Sequence, residues 1–123
     1  MDGLEKYDLS IECYDKLLAL EPKHDFAMKA KGDVLWFQNK KSEALNMYEQ
    51  AICLNTKCVT AYLNKAAILV EMNRGEEALS CYDKLLEINP SSEIAFNRKR
   101  KLFYKLNKNS IKQMKKGNFK SMS

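Results

Sequence analysis

A nine-residue segment recurs twice along this chain at a constant interval. Ser10-Ile11-Glu12-Cys13-Tyr14-Asp15-Lys16-Leu17-Leu18 returns as Ala44-Leu45-Asn46-Met47-Tyr48-Glu49-Gln50-Ala51-Ile52. It returns again as Ala78-Leu79-Ser80-Cys81-Tyr82-Asp83-Lys84-Leu85-Leu86, which spaces Tyr14, Tyr48 and Tyr82 by 34 residues. Self-similarity at a period of about 20–50 residues signals units that cannot bury an apolar face alone and must stack on their neighbours. That requirement excludes most other architectures for the chain.

Within each period the apolar spacing is helical and doubled. Asp25 to about Phe37 reads as one helix, Asn39-Lys40-Lys41 as a turn, and Ser42 to about Leu54 as a second helix. The next unit has the same plan, with Val59 to about Glu71, the turn Asn73-Arg74-Gly75, and Glu76 to about Ile88. Asn and Gly tolerate left-handed backbone, which suits them to these turns. Asn89-Pro90-Ser91-Ser92 ends one helix and offers a capping hydroxyl to the next; Glu21-Pro22 and Asn55-Thr56 mark related boundaries.

These positions resemble the tetratricopeptide repeat (TPR) family, whose 34-residue helix–turn–helix unit carries an aromatic, a Leu-Gly and a Tyr in its first helix, then Ala, an aromatic and Pro in its second. Tyr62, Ala66, Leu69, Ala78, Tyr82 and Pro90 carry the resemblance in one unit. Met28, Gly32, Leu35, Ala44 and Tyr48 carry it in the preceding one, where Thr56 replaces the proline. Lys31, Lys65 and Lys99 depart from it, standing where the family prefers Leu; a lysine stem can cover apolar surface while its ammonium reaches water. The resemblance spans about residues 5–107 and implies an all-α, α-solenoid array in one domain. Its divisions are a partial repeat at 1–24, complete repeats at 25–58 and 59–92, a partial or capping repeat at 93–116, and a frayed basic tail at 117–123. Gly32 and Ala66 are expected to let paired helices approach, with Ala44, Ala78, Tyr48 and Tyr82 filling the contact.

Both ends break the pattern. Residues 5–18 correspond to a second helix, with no counterpart of the first. Excision from a longer array, a helix that caps itself, and self-association through the incomplete N-terminal repeat all fit that reading. At the other end Ile94-Ala95-Phe96 and Leu102-Phe103 outline a first helix, with Arg100 at the small-residue position. Phe103 falls on its packed stripe. The segment from Ser110 to Lys116 lacks the alanine and tyrosine of its predecessors and reads as a short, separate, solvated capping helix.

Charge is distributed unevenly. Residues 1–92 hold eleven basic and fifteen acidic side chains, whereas 93–123 hold ten basic and only Glu93 acidic, so a net charge of +5 conceals −4 and +9. Nucleic-acid or anionic-surface binding through residues 98–120 is therefore an alternative, although lysines spread around the helices favour a solubilising role. No apolar run approaches the ~20 residues of a membrane span, and no signal sequence is evident, so a cytoplasmic protein is expected. Cys13, Cys53, Cys58 and Cys81 have neither CxxC spacing nor the density of a secreted disulfide scaffold, and are expected to be reduced. One histidine, no Ser/His/Asp set, no glycine-rich phosphate loop and no metal-spaced cluster argue against an enzyme and against a cofactor.

The expected function is protein–protein interaction. In the family, first helices line a concave groove, and the helical wheel sets Phe26, Lys29, Asp33, Trp36 and Phe37 away from the packed stripe, joined by Asn64, then by Arg98, Lys101, Tyr104 and Lys105. A groove aromatic at one end and cationic at the other suits a protein or peptide ligand with an apolar anchor and an acidic portion, rather than a small-molecule substrate. Trp36 and Tyr104 are alternatively packing residues between adjacent first helices. Some TPR domains clamp the carboxylate terminus of chaperone tails, and Lys29, Asn64 and Arg98 match that set by position. Asp33 and Ile94 depart from it, Asp33 by placing a negative charge beside the incoming carboxylate.

Overall fold

A computed structural model describes residues 3–122, with side chains described for residues 6–108. Six helices run in order: α1 (Gly3–Leu20), α2 (Asp25–Phe37), α3 (Lys41–Leu54), α4 (Val59–Glu71), α5 (Gly75–Ile88) and α6 (Glu93–Met122). Each packs against its successor, and α2 also touches α4. The helices therefore stack into an array in which α2, α4 and α6 start at Asp25, Val59 and Glu93, one period apart.

Local sequence explains the turns. Asn39 and Asn73 adopt left-handed backbone, with φ of 64° and 61°. Behind each, an amide reaches back five residues, Lys40 N to Leu35 O at 2.9 Å and Arg74 N to Leu69 O at 2.8 Å, which satisfies carbonyls the helix end would otherwise orphan. Asparagine takes the place usually held by glycine here because its short side chain tolerates φ > 0. Between units, the Asn55 and Asn89 side chains accept from the amides of Lys57 and Ser91. Ser92 Oγ caps α6 by accepting from Ala95 N, and His24 Nδ1 performs the same task for α2 at Ala27 N.

The core repeats with the sequence. Ala44, Tyr48, Ala66, Ala78 and Tyr82 are buried at the positions that the 34-residue register assigns to interhelical contact, with Leu35, Leu69 and Leu85 completing the layers. Gly32 permits a close approach: a Cβ there would lie 2.9 Å from Tyr48 Cε1 and 3.2 Å from Met47 Cβ. Gly32→Ala is therefore expected to be destabilising by about 1 kcal/mol net, because overpacking of roughly 1–3 kcal/mol outweighs the helix propensity gain of about 1 kcal/mol. A urea midpoint equal to or above that of the parent chain would contradict the packing.

The departing lysines have partners. Lys31 pairs with Asp15 at 2.6 Å, Lys65 with Glu49 at 3.8 Å and Lys99 with Asp83 at 2.5 Å. Each pair joins the second helix of one unit to the first helix of the next, so the ion pair repeats with the fold. The carboxylate partners are about half exposed, which keeps each pair near 0–1 kcal/mol.

The C-terminal end corrects the sequence reading. Asn107 occupies the repeat position of Asn39 and Asn73, yet α6 continues through it as one helix to Met122. No separate capping helix forms at 110–116, and α6 runs on through the segment 117–122; Ser123 lies outside the described residues, as do Met1 and Asp2 at the other end. Asparagine tolerates a left-handed turn without imposing one. In the inner units the turn is fixed by the helix after it, where Ala44 and Tyr48 or Ala78 and Tyr82 pack back on Gly32 and Ala66. The equivalent residues after Asn107 are Lys112 and Lys116, and folding back would set them against Arg100. Desolvating three like charges outweighs any gain from the turn. For the same reason Phe103, expected on a packed stripe, stands 54% exposed.

Candidate peptide groove

The geometry centres on Asp33, on the third turn of α2. Its Oδ1 accepts from Asn64 Nδ2 at 2.8 Å and from the Tyr48 hydroxyl, while Lys29 Nζ lies 3.1 Å from Oδ2. One carboxylate thus gathers donors from α2, α3 and α4. Lys29 meets it by the i,i+4 spacing of one helix face, Tyr48 because the core places its hydroxyl at the groove floor, and Asn64 because α4 repeats the position of Ala30 one unit later.

Trp36 sits one turn along. Its ring lies nearly perpendicular to that of Tyr48 at a centroid distance of 6.4 Å, and its Nε1 donates to Glu71 on α4. Trp36 therefore bridges adjacent first helices, and its half-buried ring lines a groove of about 590 Å³ together with Lys29, Asp33, Phe37, Thr60, Asn64 and Glu71. Phe26 adjoins that groove, with Lys29 Nζ 5.8 Å from its ring centroid. Phe37 stacks on Tyr7 of α1 at 5.9 Å, which draws α1 to the rim.

Burial shapes the titration of the phenols. It pushes Tyr48 far above the usual tyrosine range, and the Asp33 carboxylate adds to the shift while Asn64 opposes it. Burial also raises Tyr82, against which the Arg98 guanidinium pulls the other way, and raises the Cys81 thiol. A proton held more tightly in the folded state than in the unfolded one contributes stability that is intact below the unfolded pKa, about 10 for tyrosine, and is lost as pH rises beyond it. The urea midpoint is accordingly expected to fall above about pH 10, each phenol adding up to about 1.4 kcal/mol per pH unit. Tyr48→Phe is expected to flatten that slope, and an unchanged slope would contradict the shift.

Four of the expected groove residues lie elsewhere. Arg98, Lys101, Tyr104 and Lys105 are exposed along α6 and do not line the Trp36 groove; Arg98 alone reaches inward, to Tyr82. Tyr104, 73% exposed, does not pack between helices. Thr60 and Glu71 of α4, which were not among the expected contacts, line the groove as well. Among the described residues no cluster of three His, Cys, Asp or Glu could hold a metal, no helix is long and apolar enough to cross a membrane, and all four cysteines are free.

A tetratricopeptide repeat sequence profile matches residues 35–98, more than half of the chain. The chain belongs to the tetratricopeptide repeat family. A second profile for the same repeat matches residues 2–24. No curated protein sequence matches the TPR chain. Among solved structures it is similar to the first TPR of Spaghetti (RPAP3) bound to the HSP90 peptide SRMEEVD, at 27% identity and TM-score 0.75, covering 85% of this chain and 83% of that one. It is also similar to the first TPR domain of human RPAP3, at 26% identity and TM-score 0.75, covering 88% and 85%. MamA shares the fold at 23% identity and TM-score 0.74, where the match covers 89% of this chain and 61% of that one. As an all-α TPR array the chain is a protein-interaction module.

Proposed function

We propose that the groove between α2 and α4 binds a peptide segment of a partner protein, with an apolar anchor against Trp36, Phe26 and Phe37 and an acidic portion directed toward Arg98, Lys101 and Lys105. The observation that carries this reading is a pre-formed groove whose aromatic wall is already fixed by Trp36 bonding to Glu71 and packing on Tyr48. A ligand entering it orders little protein, which removes one cost of binding. Support for the acidic portion comes from α6, where Arg98, Lys101 and Lys105 have no carboxylate within ion-pair distance among the described residues.

The RPAP3 relative is bound to the HSP90 peptide SRMEEVD, a sequence that ends in aspartate. In this chain the matching Lys29 and Asn64 already hold the Asp33 carboxylate. The groove therefore suits an internal acidic segment better than a terminal one. Calorimetric titration of a capped peptide with one leucine followed by glutamates tests the reading. A Trp36→Ala, Arg98→Ala double variant is expected to bind at least about tenfold more weakly, a loss of 1.4 kcal/mol or more; equal affinity in both proteins would overturn it.

A second reading, binding of nucleic acid or an anionic surface through residues 98–120, gains from the exposure of Phe103 and Tyr104 among the cations of α6. Affinity for an oligonucleotide or anionic vesicle that falls steeply with salt and disappears on deleting residues 108–123 would favour it over the groove.

A further inference from the structure

Two exposed faces of the array, on α6 and on α1, are complementary. On α6, Phe96, Arg100 and Phe103 hold the positions that Tyr62, Ala66 and Leu69 hold on α4. The α4 residues are buried under α5, whereas Phe96 is 56% and Phe103 54% exposed. On α1, Ser10, Cys13 and Tyr14 hold the positions of Ala78, Cys81 and Tyr82, all buried on α5. In α1, Cys13 is exposed and Ser10 and Tyr14 are only half-buried. Among the described residues, the face of α6 that corresponds to the α5-covered face of α4 is thus bare, and the face of α1 that corresponds to the α4-covered face of α5 is only partly covered.

Residue type decides what covers α6. The chain's own continuation offers Lys112 and Lys116 at the two contact positions, and it does not fold back. Helix α1 offers Ser10, nearly as small as the alanine it replaces, and Tyr14, the aromatic that recurs as Tyr48 and Tyr82. Charge agrees. Helix α1 carries Glu5, Asp8, Glu12 and Asp15 against Lys6 and Lys16, whereas α6 carries ten cations and Glu93. Opposite potentials on two bare helices favour their encounter.

We infer that α6 of one copy of this chain takes α1 of a second copy as the second helix of its unit, so that copies join head to tail. The contact is heterologous: each copy so joined keeps a free α1 at one end and a free α6 at the other, and the series grows beyond a dimer unless it closes. Arg100, in place of the small residue, keeps the joint looser than the internal ones and makes it reversible. The face used lies apart from the Trp36 groove, so the inference does not rest on peptide binding.

Sedimentation of the chain over a range of concentrations tests it, with two single variants that alter exposed side chains and spare the core. Phe103→Glu puts a negative charge on α6 against acidic α1, and Cys13→Arg puts a positive charge on α1 against basic α6. The parent chain is expected to gain mass with concentration, and high salt to weaken this. Each variant alone is expected to associate at least about tenfold more weakly. An equimolar mixture of the two is expected to yield a dimer and stop, because Phe103→Glu retains a working α1 and Cys13→Arg a working α6. A parent chain monomeric at every concentration, or a mixture no more associated than its components, would overturn the inference. A parent dimer disrupted by only one of the variants would overturn it too. Circular dichroism of both variants confirms that the helices persist.

Discussion

Truncation of Tyr48 to alanine is expected to lower the unfolding free energy by about 3–5 kcal/mol, the cost of emptying a buried aromatic site. The ring is wholly inaccessible to solvent. It closes against the Gly32 backbone, stands nearly perpendicular to Trp36, and delivers its hydroxyl to Asp33. A chain of this length has roughly 5–15 kcal/mol of stability in total, so this single substitution removes a large share. Tyr14, at the same repeat position on α1, is only half-buried, and Tyr14→Ala is expected to cost markedly less. Urea denaturation followed by circular dichroism gives the comparison. Equal losses at the two sites would mean that the inner and outer units are packed alike, contrary to their difference in burial. Tyr48→Phe separates the ring from the hydroxyl, and its expected loss is about 1.5–3 kcal/mol, the value of a hydrogen bond to a charged acceptor.

The second large effect concerns affinity. Asp33→Asn retains an acceptor for Tyr48 and Asn64 but abolishes the charge that engages Lys29. The freed ammonium and the removed repulsion are together expected to strengthen binding of the peptide SRMEEVD by at least about tenfold, equivalent to 1.4 kcal/mol. By the same logic the parent chain is expected to bind that peptide weakly. Calorimetry on both proteins decides the matter. Tight binding by the parent, or no gain in the variant, would show that Asp33 does not occupy the carboxylate position from within. Replacing Lys29 by alanine in the variant is expected to reverse the gain.

The fold was legible because its signals are local or periodic. Helix pairs could be read from apolar spacing, the two inner turns from Asn39 and Asn73, and the core from the recurrence of Ala and Tyr at one interval. The same periodicity misled at Asn107, which copies the turn position while the residues that would fix the turn, Lys112 and Lys116, do not copy theirs. Weighing the residues five and nine places beyond the asparagine, rather than the asparagine itself, would have found the continuous helix. The lysines at 31, 65 and 99 were visible as departures, but their partners Asp15, Glu49 and Asp83 lie on the preceding helix, and only the stacking register joins them.

The site was less legible than the fold. The wheel placed Lys29, Asp33, Trp36 and Asn64 on one side, and the structure unites them in one groove. The repulsive role expected of Asp33 was half the matter, for its carboxylate is held by Lys29, Tyr48 and Asn64 rather than left bare. Tyr48 is 15 residues away in sequence and Asn64 is 31, so the cluster depends on two interhelical contacts that a wheel cannot supply. Equivalence of position also overstated the groove at Arg98, Lys101, Tyr104 and Lys105, because matching register on α6 does not bring those side chains to α2.

The central claim is that the concave side around Trp36 is the binding surface. Its most direct test is an amide-resolved NMR titration of the chain with the capped leucine–glutamate peptide. Perturbation of the Trp36 indole N–H and the Asn64 side-chain amide, joined by the backbone of Arg98 and Lys101, is the expected result. Perturbations confined to α3 and α5, or to residues beyond 108 alone, would contradict it.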